Sequence, residues 1–159
     1  MDINLTLTFY ALLLSALSYG VRAEGRCTDE DLIKLGFKAE PITDESLIRL
    51  GVTRYIVDVW VRWSANIMLS AHPRMTIARI YRDLLEEGIE GFDPDCLYCF
   101  VQRAECIQAS CPDACKSDNL SDDCVRCTDV NCRHGFVGCV GKETISPADH
   151  KDFLKTRGL

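Results

Sequence analysis

Nine of the ten cysteines in this 159-residue chain fall between Cys96 and Cys139, and the tenth, Cys27, stands far upstream. An even count at such density reads as a disulfide framework, of the kind that holds together a unit whose own apolar core would be marginal. Nine is odd, so complete pairing within the chain requires Cys27 to reach the cluster. If it does not, one thiol is left unpaired or joins a second chain. The full framework is Cys27, Cys96, Cys99, Cys106, Cys111, Cys115, Cys124, Cys127, Cys132 and Cys139, and the spacing alone leaves its connectivity open.

Disulfides imply an oxidising compartment, and the start of the chain supplies a route to one. Leu5 to Tyr19 is apolar apart from Thr and Ser, and Val21-Arg22-Ala23 has the form of a cleavage site. We therefore expect residues 1–23 to be a signal peptide and the mature chain to be secreted. Asp2 and Arg22 leave with that segment, so 23 acidic residues face 17 basic ones and the net charge of −6 is kept. No basic stripe is present, which argues against nucleic acid as a partner. No later stretch has the roughly 20 apolar residues needed to cross a bilayer.

The expected fold is all-α, with short N-terminal helices and a helical hairpin in residues 24–91, a disulfide-rich helical domain in 92–142, and a tail in 143–159. A repeat opens the mature chain: Thr28-Asp29-Glu30-Asp31-Leu32-Ile33-Lys34-Leu35-Gly36 recurs as Thr43-Asp44-Glu45-Ser46-Leu47-Ile48-Arg49-Leu50-Gly51. Each copy has a Thr cap, acids in the first turn, a base near the end and a Gly stop, which predicts two brief helices. Tyr55 to Trp63 alternates like a strand, yet also pairs Asp58 with Arg62 at helical spacing and stacks Ile56, Val59, Trp60 and Trp63 on one side. Its length and the lack of a partner strand favour helix. Met75 to Glu87 repeats apolar residues at helical spacing and ends at Gly88.

Within the cluster, Cys96, Cys99 and Cys106 share one side of a helical wheel. Asp93 or Asp95 is placed to cap that helix, and Ser121, Asp122 or Asp123 to cap another beginning at Cys124; Gly135 and Gly138 should stop it short of Cys139. The spacings C-x2-C-x6-C-x4-C from Cys96 and C-x2-C-x4-C-x6-C from Cys124 share a rhythm, which a duplicated helical hairpin would produce and which coincidence among ten cysteines would produce as well.

The chemistry is sparse. Two C-x-x-C motifs, Cys96–Cys99 and Cys124–Cys127, with His134 beside Cys132, keep a Cys-rich zinc site as an alternative, although export disfavours it. His72, His134 and His150 lack the context of any hydrolase motif; a secreted hydrolase using His134 and nearby acids is the rival class. Asn119-Leu120-Ser121 is a glycosylation sequon in an acidic loop without the spaced ligands of a calcium site. No cofactor is expected.

What remains is a non-enzymatic protein-interaction module: a secreted ligand, a toxin-like effector or a small subunit of an extracellular complex. Its partner would be another extracellular or membrane-surface protein, with a disulfide-linked partner available through any unpaired Cys. Loops at 112–123 and 133–142 would be presented by the rigid domain. Trp60 and Trp63 are the candidate anchors, although burial is the commoner fate of such residues.

Overall fold

The computed structural model describes residues 25–66 and 73–159. The expected signal peptide and His72 lie outside the described residues. Among the described residues, seven α-helices and one 3-10 turn follow in order: α1 (Asp29–Lys34), α2 (Asp44–Asn66), α3 (Pro73–Glu86), α4 (Pro94–Ser110), α5 (Asp122–Asn131), α6 (Arg133–Val140), the turn Pro147–His150 and α7 (Lys151–Thr156). No strand occurs among the described residues, so the all-α expectation holds.

Helix α4 is the axis of the molecule, packed by α2 and α3 on one side and by α5 and α6 on the other. Asp93 caps it by accepting from the Asp95 N–H at 2.9 Å, and Pro94 fills the first turn where no amide donor is needed. Its Phe100 ring lies between Phe37 (4.7 Å) and Phe136 (5.2 Å), joining the N-terminal segment to α6. Leu32, Leu50, Val57, Ile80, Leu84, Leu97 and Leu154 belong to the same buried core, which runs without a break across residue 92.

The two repeat copies start alike and end differently. Thr28 and Asp31 form a reciprocal capping box, and Thr43 exchanges the same kind of bonds with Ser46. Gly36 then stops α1 with φ of 84°. Gly51 stops nothing, contrary to the expectation of two brief helices: α2 continues through it to Asn66. Its role is close approach, because a Cβ there would lie 2.8 Å from Leu159 Cβ and 3.0 Å from Leu154 Cδ2. Gly51→Ala should therefore lower stability by about 1 kcal/mol, crowding outweighing the gain in helix propensity. Gly135→Ala, at an open helical position with no atom within 4 Å, should raise it by about 0.5 to 1 kcal/mol. Thermal unfolding of the two variants checks the opposite signs.

All ten cysteines are paired. Cys27 joins Cys96, and the other four bridges nest as a ladder: Cys115–Cys124, Cys111–Cys127, Cys106–Cys132 and Cys99–Cys139. The shared spacing rhythm thus belongs to one hairpin, with α4 as one arm and α5 plus α6 as the other, and not to a duplicated one. Ser121 caps the second arm. That arm bends at Cys132, before the glycines expected to interrupt it, and α6 carries on to a left-handed Gly141. The expected loop at 133–142 is mostly this helix. With no unpaired cysteine, the proposed route to a disulfide-linked partner is closed, and no thiolate remains for zinc.

The N-terminal segment is held at more than its disulfide. The Arg26 N–H donates to the Cys139 carbonyl at 2.8 Å, and the Arg26 guanidinium lies 4.5 Å from the centre of the Tyr98 ring. Asp29 bridges Lys38 and Lys142, which hold its carboxyl down at about 2.

Candidate functional site

Helix α2 has three sides with different chemistry. Leu50, Thr53, Val57 and Val61 face inward and are buried. Trp60 faces the seam with α3, where its indole N–H donates to Asp83 Oδ2 at 2.6 Å and the Arg79 guanidinium lies 5.0 Å above its ring. The outward side is apolar but uncovered: Ile48 is 36% exposed, Tyr55 57%, Val59 43% and Trp63 45%. These four positions recur at helical spacing and form one ridge along the helix. An exposed ridge of this composition is the kind of feature that marks an interaction surface.

Beside the ridge runs a charged groove between α2 and the turn joining α4 to α5. It comprises a cavity of about 540 Å³ and an adjoining one of about 280 Å³, which share Asp58, Arg62, Cys115 and Lys116. Arg54, Asp58 and Arg62 lie one turn apart on α2, and the Cys111–Cys127 and Cys115–Cys124 bridges fix the opposite wall. Burial pushes the Asp58 carboxyl up, while the Arg54 and Arg62 guanidinium groups and a 2.8 Å hydrogen bond from Asn119 Nδ2 pull it back. Burial lowers the pKa of Arg54, opposed by Asp58 and Asp118, and Arg54 Nε is buried without a hydrogen-bond partner among the described residues. Arg103 is pushed the same way by burial; its guanidinium stands 5.0 Å from the centre of the Phe136 ring. Arg62 and Lys116 are exposed cations at the groove edge, with no ion pair among the described residues.

The residues singled out from the sequence separate on this frame. Trp63 is on the ridge and Trp60 is not, since its polar edge is already bonded to α3. Asn119 belongs to the groove, and its amide nitrogen, the atom a glycan would occupy, is the donor to Asp58. Asp118 and Asp122 each hold a C-terminal lysine, Lys155 and Lys151, at 2.6 Å. His134 is exposed on α6 and bonds no carboxylate among the described residues. The Arg54–Asp58–Asn119 cluster was missed: Arg54 and Asp58 stand one turn apart on α2, but Asn119 lies 61 residues beyond Asp58, and nothing in the sequence joins it to them. Comparison of the chain with protein-family models, with curated proteins and with solved structures found no match.

Proposed function

We propose that this chain is a secreted, non-enzymatic protein-interaction module, a subunit of an extracellular or membrane-surface protein assembly, and that its recognition surface is the outward side of α2 with the groove beside it. The observation that carries this reading is the uncovered ridge of Ile48, Tyr55, Val59 and Trp63 on a molecule whose remaining large apolar side chains mostly serve one closed core. The five disulfides are compatible with an oxidising extracellular setting. They also hold the groove wall rigid, so little ordering cost opposes docking.

A photo-crosslinking side chain at Val59 should label a protein partner in the extracellular medium or at the cell surface. The same group at Val130, 78% exposed on α5, should not. Trp63→Asp or Tyr55→Asp should cut the Val59 labelling about tenfold or more, as loss of an aromatic anchor does. Equal labelling from both positions, or labelling indifferent to these substitutions, would count against the reading.

A further inference from the structure

Arg54 on α2 and Arg103 on α4 line one small chamber, about 40 Å³ in volume, whose other polar walls are Asn119, Thr128, Asp129 and Ser146. A guanidinium carries five N–H donors and does not shed its charge. Burial presses on both groups, and what opposes it is charge at a distance: Asp58 and Asp118 for Arg54, Asp58 and Asp129 for Arg103. Neither arginine forms an ion pair or a hydrogen bond among the described residues, and Arg54 Nε is buried with no acceptor. The Phe136 ring, 5.0 Å from the Arg103 guanidinium, attracts the charge but does not replace an acceptor. Thr128 adds a third donor in poor company: the residue is 5% exposed, and its hydroxyl has only Cys124 Sγ beside it, at 4.0 Å, among the described residues.

The charges around the chamber do not cancel. Lys155 holds Asp118 at 2.6 Å, and Arg133 lies between Asp129 at 3.9 Å and Glu143 at 2.8 Å. Arg54, Arg62 and Arg103 share Asp58 as their counter-charge. Together these groups carry one positive charge in excess, in a chain whose net charge is −6. A buried charge is costly unless it is both paired and hydrogen-bonded. Water would meet the donors without balancing the charge, whereas an anion does both.

Size and charge name the class of that anion. One water needs roughly 10 to 15 Å³ of such space, so the chamber admits about three waters or one ion little larger than water. An excess of one charge calls for a monovalent ion, not for sulfate. Arg54 and Asn119 also line the 280 Å³ cavity of the groove, which gives the ion a way in from solvent.

We infer that the chamber is a binding site for a chloride-sized monovalent anion, held between the Arg54 and Arg103 guanidinium groups with the Thr128 hydroxyl as a further donor. The site is independent of the α2 ridge and of any partner bound there. Its ion joins α2 and α4 to α5 and to the turn that begins the C-terminal segment, so anion binding stabilises the fold.

The test is thermal unfolding of the disulfide-intact protein in sodium chloride and in sodium gluconate at equal ionic strength, gluconate being too large for the chamber. The Tm should rise by about 4 °C for each tenfold increase in chloride above its dissociation constant, with no such rise in gluconate. Arg54→Gln and Arg103→Gln should each abolish the difference between the salts. Arg62→Gln, at the exposed groove edge, should keep most of it. Crystals grown in sodium bromide should show an anomalous-scattering peak between the two guanidinium groups, a readout that stands even if a variant fails to fold. Equal melting in the two salts overturns the inference, as does a salt difference that survives both glutamine variants or a chamber that holds water alone in bromide.

Discussion

Replacing Cys27 and Cys96 together by alanine is expected to lower the free energy of unfolding by about 4 kcal/mol, the largest loss from any single bridge. The reason lies in the unfolded chain. Cys27–Cys96 closes a loop with a sequence separation of 69, and no other disulfide ties the N-terminal segment to the rest. Its removal releases the whole of that loop, which chain-entropy arguments value at about 4 kcal/mol. Cys115–Cys124 makes the contrast. It closes a separation of 9, and Cys111–Cys127 encloses it, so the freed segment remains confined within a separation of 16. Its loss should cost about 2 kcal/mol. Urea unfolding of the two double-alanine variants, each with its other four bridges intact, measures the difference. Equal losses would mean that loop closure does not rank these bridges and that local packing of the sulfurs does.

The odd count of clustered cysteines was enough to foresee the role of Cys27, because parity needs no geometry. The ladder was legible too, but in mirror order. Reading forward from Cys99 the gaps are x6, x4 and x3, and reading backward from Cys139 they are x6, x4 and x2. Two antiparallel helices rise at the same rate, so residues bridged across them must lie at similar distances from the turn. Matching the two runs in the same direction hid this and suggested duplication. Gly51 was misread for a different reason. A Gly stop and a Gly of close approach look identical in sequence, and only the position of Leu154 and Leu159 tells them apart. For the candidate site the difficulty was α2 itself. The helix is apolar around most of its circumference, so periodicity does not say which apolar side faces water, and Trp60 and Trp63 could not be separated until α3 was in place.

Asp31→Asn should cost about 2 kcal/mol at neutral pH, and the loss should vanish in acid. Asp31 is only 5% exposed. Its Oδ2 accepts from the Thr28 N–H at 2.8 Å and from the Thr28 hydroxyl at 2.6 Å, and its Oδ1 accepts from the Asp93 N–H at 2.7 Å. One carboxylate therefore satisfies donors at the starts of both α1 and α4, next to the Cys27–Cys96 bridge. Asparagine has a single oxygen, so its NH₂ group must face one of these donors and leave a buried N–H unbonded, a loss of about 2 kcal/mol for a bond to a charged group. The pH dependence follows from the same bonds. Burial would raise the Asp31 pKa, but the hydrogen bonds from Thr28 and Asp93 outweigh it and hold the carboxyl below its ordinary value. A group whose folded pKa is depressed contributes its full stabilisation above the unfolded value of about 3.9. That contribution disappears as the pH falls through the folded value, where the native carboxylate is protonated as well. The wild type should thus lose its advantage over Asp31→Asn in that acidic window. Asp29, held at about 2 by Lys38 and Lys142, titrates in both proteins and cancels in the comparison. Urea midpoints of the pair at neutral pH and in that window provide the measurement. A gap that stayed constant with pH would assign the loss to the shape of the amide and not to the charge on Asp31.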